Sequence, residues 1–314
     1  MRAVGTLHLA RVAALLALAG VAAGCGLNTD TSSGPSAVAG SQTATQAMAP
    51  PPATQTTPAE PPWHVAHGRL LIVASVHSGG AEGPYKSFAV TLEQVEVRQP
   101  EGWVSAASAE DLASLNARPV DLARAKEPLL LAVGSAPAET CEALRLRFQS
   151  GAEHCSWVAA DAPKRRRALA LPEDGCVEVT LDDVKIEPGR TTVAALNVDL
   201  TKAAADGDTR RIAPAMFAAG DASKVVGRIT GAVSPAAALP RVWACRADTG
   251  TPITCADADP ADGRFTINDV PAGRYFLRVT AGGYQPVEDR EAVCEVKAGA
   301  ATEVARVTLT RRAR

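Results

Sequence analysis

Leu144-Arg145-Leu146-Arg147-Phe148 alternates a large apolar residue with arginine. The same period returns in Val177-Glu178-Val179-Thr180-Leu181 and through Phe88–Val97. A side-chain period of two belongs to a strand with one dry face and one wet face. It overrules composition: 63 of 314 residues are alanine, the best helix former, yet the large apolar residues do not recur at helical spacing. Further strands are expected at Arg69–Val76, an apolar run of strand length, at Gly102-Trp103-Val104, and at Thr191–Leu200 after the turn Glu187-Pro188-Gly189-Arg190. Helical pattern is confined to 110–115 and 129–133. Many short strands separated by turns predict an all-β chain of two antiparallel β-sandwich domains with Greek-key connections. Only 12 residues are aromatic, so both cores are thinly furnished.

Residues 1–62 are expected to lie outside that fold. Arg2 and Arg11 precede the apolar stretch Val12–Ala23, which is too short to span a bilayer but suits an export signal over 1–24. The stretch ends in Val21-Ala22-Ala23-Gly24-Cys25, which resembles the lipobox of bacterial lipoproteins, with Ala22 where that family prefers leucine. The resemblance implies cleavage before Cys25 and acylation of Cys25. Gly26, in place of the inner-membrane retention aspartate, implies the outer membrane. Residues 25–62 hold the lipidated cysteine and a linker of Ser, Thr, Gln, Ala and Pro, with seven prolines and no aromatic residue in 26–62. Such a segment cannot bury enough apolar surface to offset chain entropy, so disorder is expected. As a loose coil it would separate its ends by about 35 Å.

Two stretches of the body resemble known families. FAVTLEQVEV, GWVS, RPVDLA, LLLAVGSAPAETCEALRLRF, VTLDDVKIEPGRTTVAALNVDL and RIAPAM, in that order, resemble a bacterial envelope family known as a domain of unknown function. The resemblance implies a lipoprotein β-sandwich over 63–222 and no particular activity. Val76-His77-Ser78-Gly79-Gly80 stands where that family usually has an Asp-Ala-Pro turn. Farther on, Val225–Gly231, Asp262-Gly263-Arg264-Phe265-Thr266-Ile267, Val270-Pro271-Ala272-Gly273 and Gly282-Gly283-Tyr284 are similar to the carboxypeptidase regulatory-like module. That resemblance implies a transthyretin-like, non-catalytic sandwich over 223–314. The residues themselves agree: Asp262-Gly263 makes a tight turn, Phe265 and Ile267 share one face, and Tyr275, Leu277 and Val279 form the next inward row.

Apart from Cys25 there are six cysteines, and an even count in an exported chain favours disulfides. Cys245 and Cys255 flank a turn at Thr249-Gly250. Cys155 and Cys176 bracket a hairpin whose tip is expected at Pro163–Arg167. Cys141 and Cys294 would pair across the two domains. The other reading leaves some thiols buried and free.

No cofactor motif and no zinc-type Cys-x-x-Cys appears, so neither cofactor nor metal is expected. His64 and His67 are three apart but enter a strand, not a helix. Asp257–Gly263 departs from a calcium loop by an extra residue and reads better as a turn. His77–Gly80 has the look of an oxyanion loop, yet no Gly-x-Ser-x-Gly accompanies it. Lys164–Arg167 is a run of four cations, read as a solvated tip that could meet anionic lipid or glycan. A net charge of −2 argues against a nucleic-acid partner. The expected protein is a non-catalytic, lipid-anchored envelope protein whose sandwiches bind or space something at the membrane surface. Its partners would be the membrane, and a glycan or an envelope protein. The alternatives are carbohydrate or peptidoglycan recognition by Trp103, Trp157 or Trp243, an accessory role in an envelope complex, and, last, a hydrolase.

Overall fold

Leu70, Leu71, Ile72, Val73 and Ala74 are all buried, so this strand has no wet face. That is why its sequence runs apolar without alternating: it lies at the centre of a sheet covered on both sides. The computed structural model describes residues 66–79, 83–115, 119–162 and 164–312. The export signal, Cys25, the linker, Trp63 and His64 lie outside the described residues.

In the first half the strands are β1 (His67–His77), β2 (Tyr85–Val90), β3 (Leu92–Gln99), β4 (Gly102–Ala107), β5 (Val120–Asp121), β6 (Leu129–Pro137), β7 (Thr140–Phe148), β8 (Ser156–Ala159), β9 (Arg166–Ala170), β10 (Cys176–Lys185), β11 (Thr191–Asp199), β12 (Ala204–Asp206), β13 (Thr209–Arg211) and β14 (Phe217–Ala219). The helix α1 (Ala109–Leu115) follows β4. In the second half they are β15 (Val226–Ser234), β16 (Arg241–Arg246), β17 (Pro252–Asp257), β18 (Arg264–Pro271), β19 (Gly273–Thr280), β20 (Val287–Glu288), β21 (Cys294–Val296), β22 (Ala301–Glu303) and β23 (Val307–Thr308).

The protein is all-β, as its periodicity requires. The first half has three sheets, ordered β14-β11-β1-β6, β10-β7-β3-β4 and β12-β13-β9-β8-β2-β5. The second half is a two-sheet sandwich: β18-β15-β22 with β23 on β15, facing β17-β16-β19-β20 with β21 on β19. Pairing is mainly antiparallel, but β1 runs parallel to β11, β9 to β13, and β15 to β22 and β23. The stretch 88–97, which alternates as if one strand, is two. The chain breaks at Thr91, whose hydroxyl donates to the His154 carbonyl at 3.1 Å, so β2 and β3 enter different sheets. Residues 129–133 belong to strand β6 and not to a helix, because β6 pairs with β1 along most of its length. The cationic hairpin forms, but Arg166 and Arg167 already belong to β9.

Two cores result, and they meet through one sheet. Leu70, Ile72, Ala74, Ala194, Leu196 and Val198 face the first core, with Phe88, Leu144, Leu146 and Phe148. The alternate residues Leu71, Val73, Val193 and Ala195 face the second, with Ile229, Val242, Phe265, Ile267 and Val279. The described residues form one compact unit. Polar links reinforce the boundary. Arg69, buried in β1, donates through Nη2 to the Pro252 carbonyl. Thr254 Oγ1 and Thr191 Oγ1 are 3.0 Å apart, and the Thr251 hydroxyl donates to the Ser114 carbonyl at 3.3 Å.

Candidate functional site

Three places bring chemistry together. The first is a crevice of about 410 Å³ where α1 and all three sheets of the first half meet. Val90, Leu112, Leu131, Leu146, Phe148 and Phe217 form its apolar wall, with the Phe148 and Phe217 rings 6.0 Å apart. Glu93, Gln149, Glu153 and His154 stand among the lining residues, with Glu153 Oε1 3.6 Å from His154 Nε2. An apolar wall with a few polar groups suits an apolar group better than a sugar. A second crevice, of about 450 Å³, lies at the boundary of the halves beside Arg69, Ser105, Ser108, Ser114 and Thr251.

The second place is the outer face of β10-β7-β3-β4. Register sets Glu96, Arg145 and Glu178 side by side on neighbouring strands. Arg145 donates from Nη2 and Nε to Glu178 Oε1 at 2.7 and 3.0 Å, and from Nη1 to Glu96 Oε2 at 3.4 Å. These bonds, that to Glu178 first, raise its pKa further. Its guanidinium lies 3.9 Å from the centre of the Trp103 ring, a cation–π contact. Trp103 is half-buried on this face, whereas Trp157 and Trp243 are buried. Of the three tryptophans read as ligand contacts, Trp103 is the one presented to solvent. Trp243 packs with Cys245 and Phe276.

The third place is the β9–β13 pair of the six-stranded sheet, where Arg167 and Arg210 each lie 5.1 Å from the Trp157 ring centre. Periodicity shows neither this convergence nor the crevice, because both depend on strands distant in sequence.

The remaining sequence candidates resolve as follows. All six cysteines of the body are free thiols. Cys255 stands opposite Trp243, while a bulge between Ala244 and Cys245 sets Cys245 opposite Pro252. The hairpin does not bring Cys155 to Cys176. The Cys155 carbonyl accepts from the Leu169 amide, and Cys176 pairs with Arg147 in another sheet. Cys141 is buried in β7, and Cys294 lies opposite Tyr275 in the second half. The Asp257–Gly263 carboxylates serve the turn. Asp259 Oδ1 accepts from the Ala261 amide and Asp262 Oδ1 from the Arg264 amide, each at 2.8 Å, and Asp257 pairs with Arg241. His77 lies beside Asp199 in the parallel ladder. Asp199, bonded first by the Thr201 hydroxyl, is held below the usual carboxylate range and caps a 3₁₀ turn. Among the described residues no group of three or more His, Cys, Asp or Glu could hold a metal ion. Nor is any described helix long and apolar enough to cross a membrane.

No protein-family model matches the chain, and no curated protein matches it. Solved structures resemble it weakly. The Bacillus anthracis TIE protein shares 12% identity at a TM-score of 0.22, over 78% of this chain and 34% of that one. A candidate adhesin from Bacteroides ovatus shares 9% at 0.22, over 80% and 95%. The major pilin subunit of Bacillus cereus shares 9% at 0.21, over 78% and 70%. The chain thus spans about a third of the length of the Bacillus anthracis protein.

Proposed function

We propose that this chain is a non-catalytic envelope lipoprotein. Cys25 carries the acyl anchor, 26–62 is the tether, and the β body binds or spaces a partner at the membrane surface, with the outer membrane favoured by Gly26. The observation that carries the reading is the sheet shared by the two cores. Leu71, Val73, Val193 and Ala195 seal the boundary between the halves with apolar contact. A protein that closed its halves around a substrate would keep that boundary polar and separable; this one supports a body displayed as a single rigid piece. The sandwich of β15–β23 supports a carboxypeptidase regulatory-like module over 223–314, and the three-sheet half supports an envelope domain over 63–222. Replacing Cys25 by serine and following labelled palmitate tests the anchor. The variant is expected to lose label and leave the membrane fraction; a variant that stays with the membrane sinks the lipid reading.

The second reading is glycan recognition, favoured by Trp103 beside Arg145, Glu96 and Glu178 on an open sheet face. Trp103→Ala should abolish signal on a glycan array while Trp243→Ala, if folded, should not. An array silent for the parent chain rejects it.

A further inference from the structure

The four cations singled out at 164–167 acquire two more in the folded chain. Parallel pairing of β13 with β9 sets Arg210 beside Leu169 and Arg211 beside Ala170. Strand alternation then sorts them. Arg167 stands opposite Trp157, and Leu169 is two residues on, so Arg167, Leu169, Arg210 and Trp157 share one face. Arg166 and Arg211 share the other, and Lys164 and Arg165 are exposed in the adjoining loop. Acidic residues close by in sequence are Asp161 in the same loop, Asp206 at the end of β12 and Asp208 in the turn before β13.

The Arg167–Arg210 face is built, not loose. Trp157 is held edge-on by Tyr85, with ring centres 6.0 Å apart, and Tyr85 itself packs against Phe88 at 5.1 Å. Arg210 stands near enough to Tyr85 to act on its hydroxyl, and donates to the Gly207 and Thr209 carbonyls at 3.0 and 3.2 Å. Arg167 Nη1 lies 2.9 Å from Asp208 Oδ1 and donates to the Asp208 carbonyl at 3.3 Å. The Asp208 side chain is 83% exposed, so an oxyanion already reaches this place from solvent. The buried Trp157 Nε1 has no hydrogen-bond partner among the described residues, which leaves donors in excess of acceptors. Paired guanidinium forks on an aromatic base suit a tetrahedral oxyanion better than a lone carboxylate.

We propose that Arg167 and Arg210, seated on Trp157, form a phosphate-binding site, with Asp208 as its resident competitor and with anionic phospholipid headgroups as the source of the phosphate. Arg166, Arg211, Lys164 and Arg165 add the field that draws this part of the sheet toward such a surface. The site does not depend on the acyl anchor, so it is tested on the full chain carrying Cys25→Ser, and failure here leaves the anchor reading standing.

Co-sedimentation with phosphatidylcholine vesicles, with and without phosphatidylglycerol, is the measurement. Retention is expected on the mixed vesicles alone. Arg167→Gln with Arg210→Gln should weaken it about tenfold or more, as loss of charge-assisted bonds implies. Asp208→Asn should strengthen it. Arg166→Gln with Arg211→Gln should weaken it less than the first pair. If the first pair fails to fold, Arg167→Lys with Arg210→Lys keeps the charge, loses the fork and should still bind poorly. Millimolar glycerol phosphate should displace the chain from vesicles, and binding of glycerol phosphate without vesicle retention would assign the site to a soluble phosphate ester. Equal loss from both glutamine pairs, or vesicle binding that glycerol phosphate does not disturb, overturns the site in favour of diffuse attraction.

Discussion

Two buried thiols and one buried guanidinium make stability depend on alkaline pH in opposite senses. Burial pushes Cys141 and Cys245 up to about 11 from the ordinary 9.0. Between those values the unfolded chain has lost protons that the folded chain keeps, so stability falls as pH rises. Burial lowers Arg69 to about 10 from 12.5; there the folded chain loses its proton first, so its share of stability rises from about pH 10 upward. The urea midpoint should therefore drop from about pH 9 to 10, and Cys141→Ala with Cys245→Ala should flatten the drop; an unchanged slope rejects the assignment. The thiols also answer the disulfide question. Cys141, Cys155 and Cys245 are buried, while Cys176, Cys255 and Cys294 are partly exposed. Alkylation of the folded chain should label the second set first and denaturation should release the first. A chain that stays unlabelled even in denaturant has its cysteines bridged. At Gly263 the backbone is left-handed, with φ +75°, and a Cβ would lie 2.0 Å from the Val233 carbonyl oxygen. Gly263→Ala should cost about 1–3 kcal/mol or more, read by thermal unfolding.

At the scale of elements, β1 is where sequence and fold agree most closely. Its unbroken apolar run announces a strand buried on both faces, and it is one. Leu71→Ala should cost about 2–5 kcal/mol, and the loss should appear in the unfolding of both halves, because Leu71 packs on the second core from a strand of the first. If only one half responds, the shared sheet is not a coupling element. What stayed illegible has physical reasons. Phe88, Val90 and Leu92 alternate straight across Thr91, and the parity slips only at Glu93–Gln94, where β3 bulges against β7, so nothing at Thr91 itself marks the change of sheet. Cys245 and Cys255 do lie on adjacent strands, but the register that sets Trp243 and not Cys245 opposite Cys255 has no local signal in the turn between them. Nothing in the sequence marks Arg69 as buried; its partner, the Pro252 carbonyl, lies far along the chain. The apolar crevice draws on residues from 90 to 217 and has no sequence signal at all.

For the whole molecule, a boundary sealed by Leu71, Val73, Val193 and Ala195 predicts a single calorimetric transition for the body. It also predicts that nicking the Asp221–Lys224 turn will not release either half as a folded fragment; two separate transitions would show that the halves are independent. The chain enters the described structure through β1, which is hydrogen-bonded to β11 on one side and to β6 on the other. A pull on the N-terminal side would therefore load the middle of a sheet along its own strand direction. The parallel ladder Arg69–His77 against Thr191–Asp199 would have to shear as a set before any residue slid. Tension applied from that side would thus be carried into both cores at once, through a strand held on both of its edges.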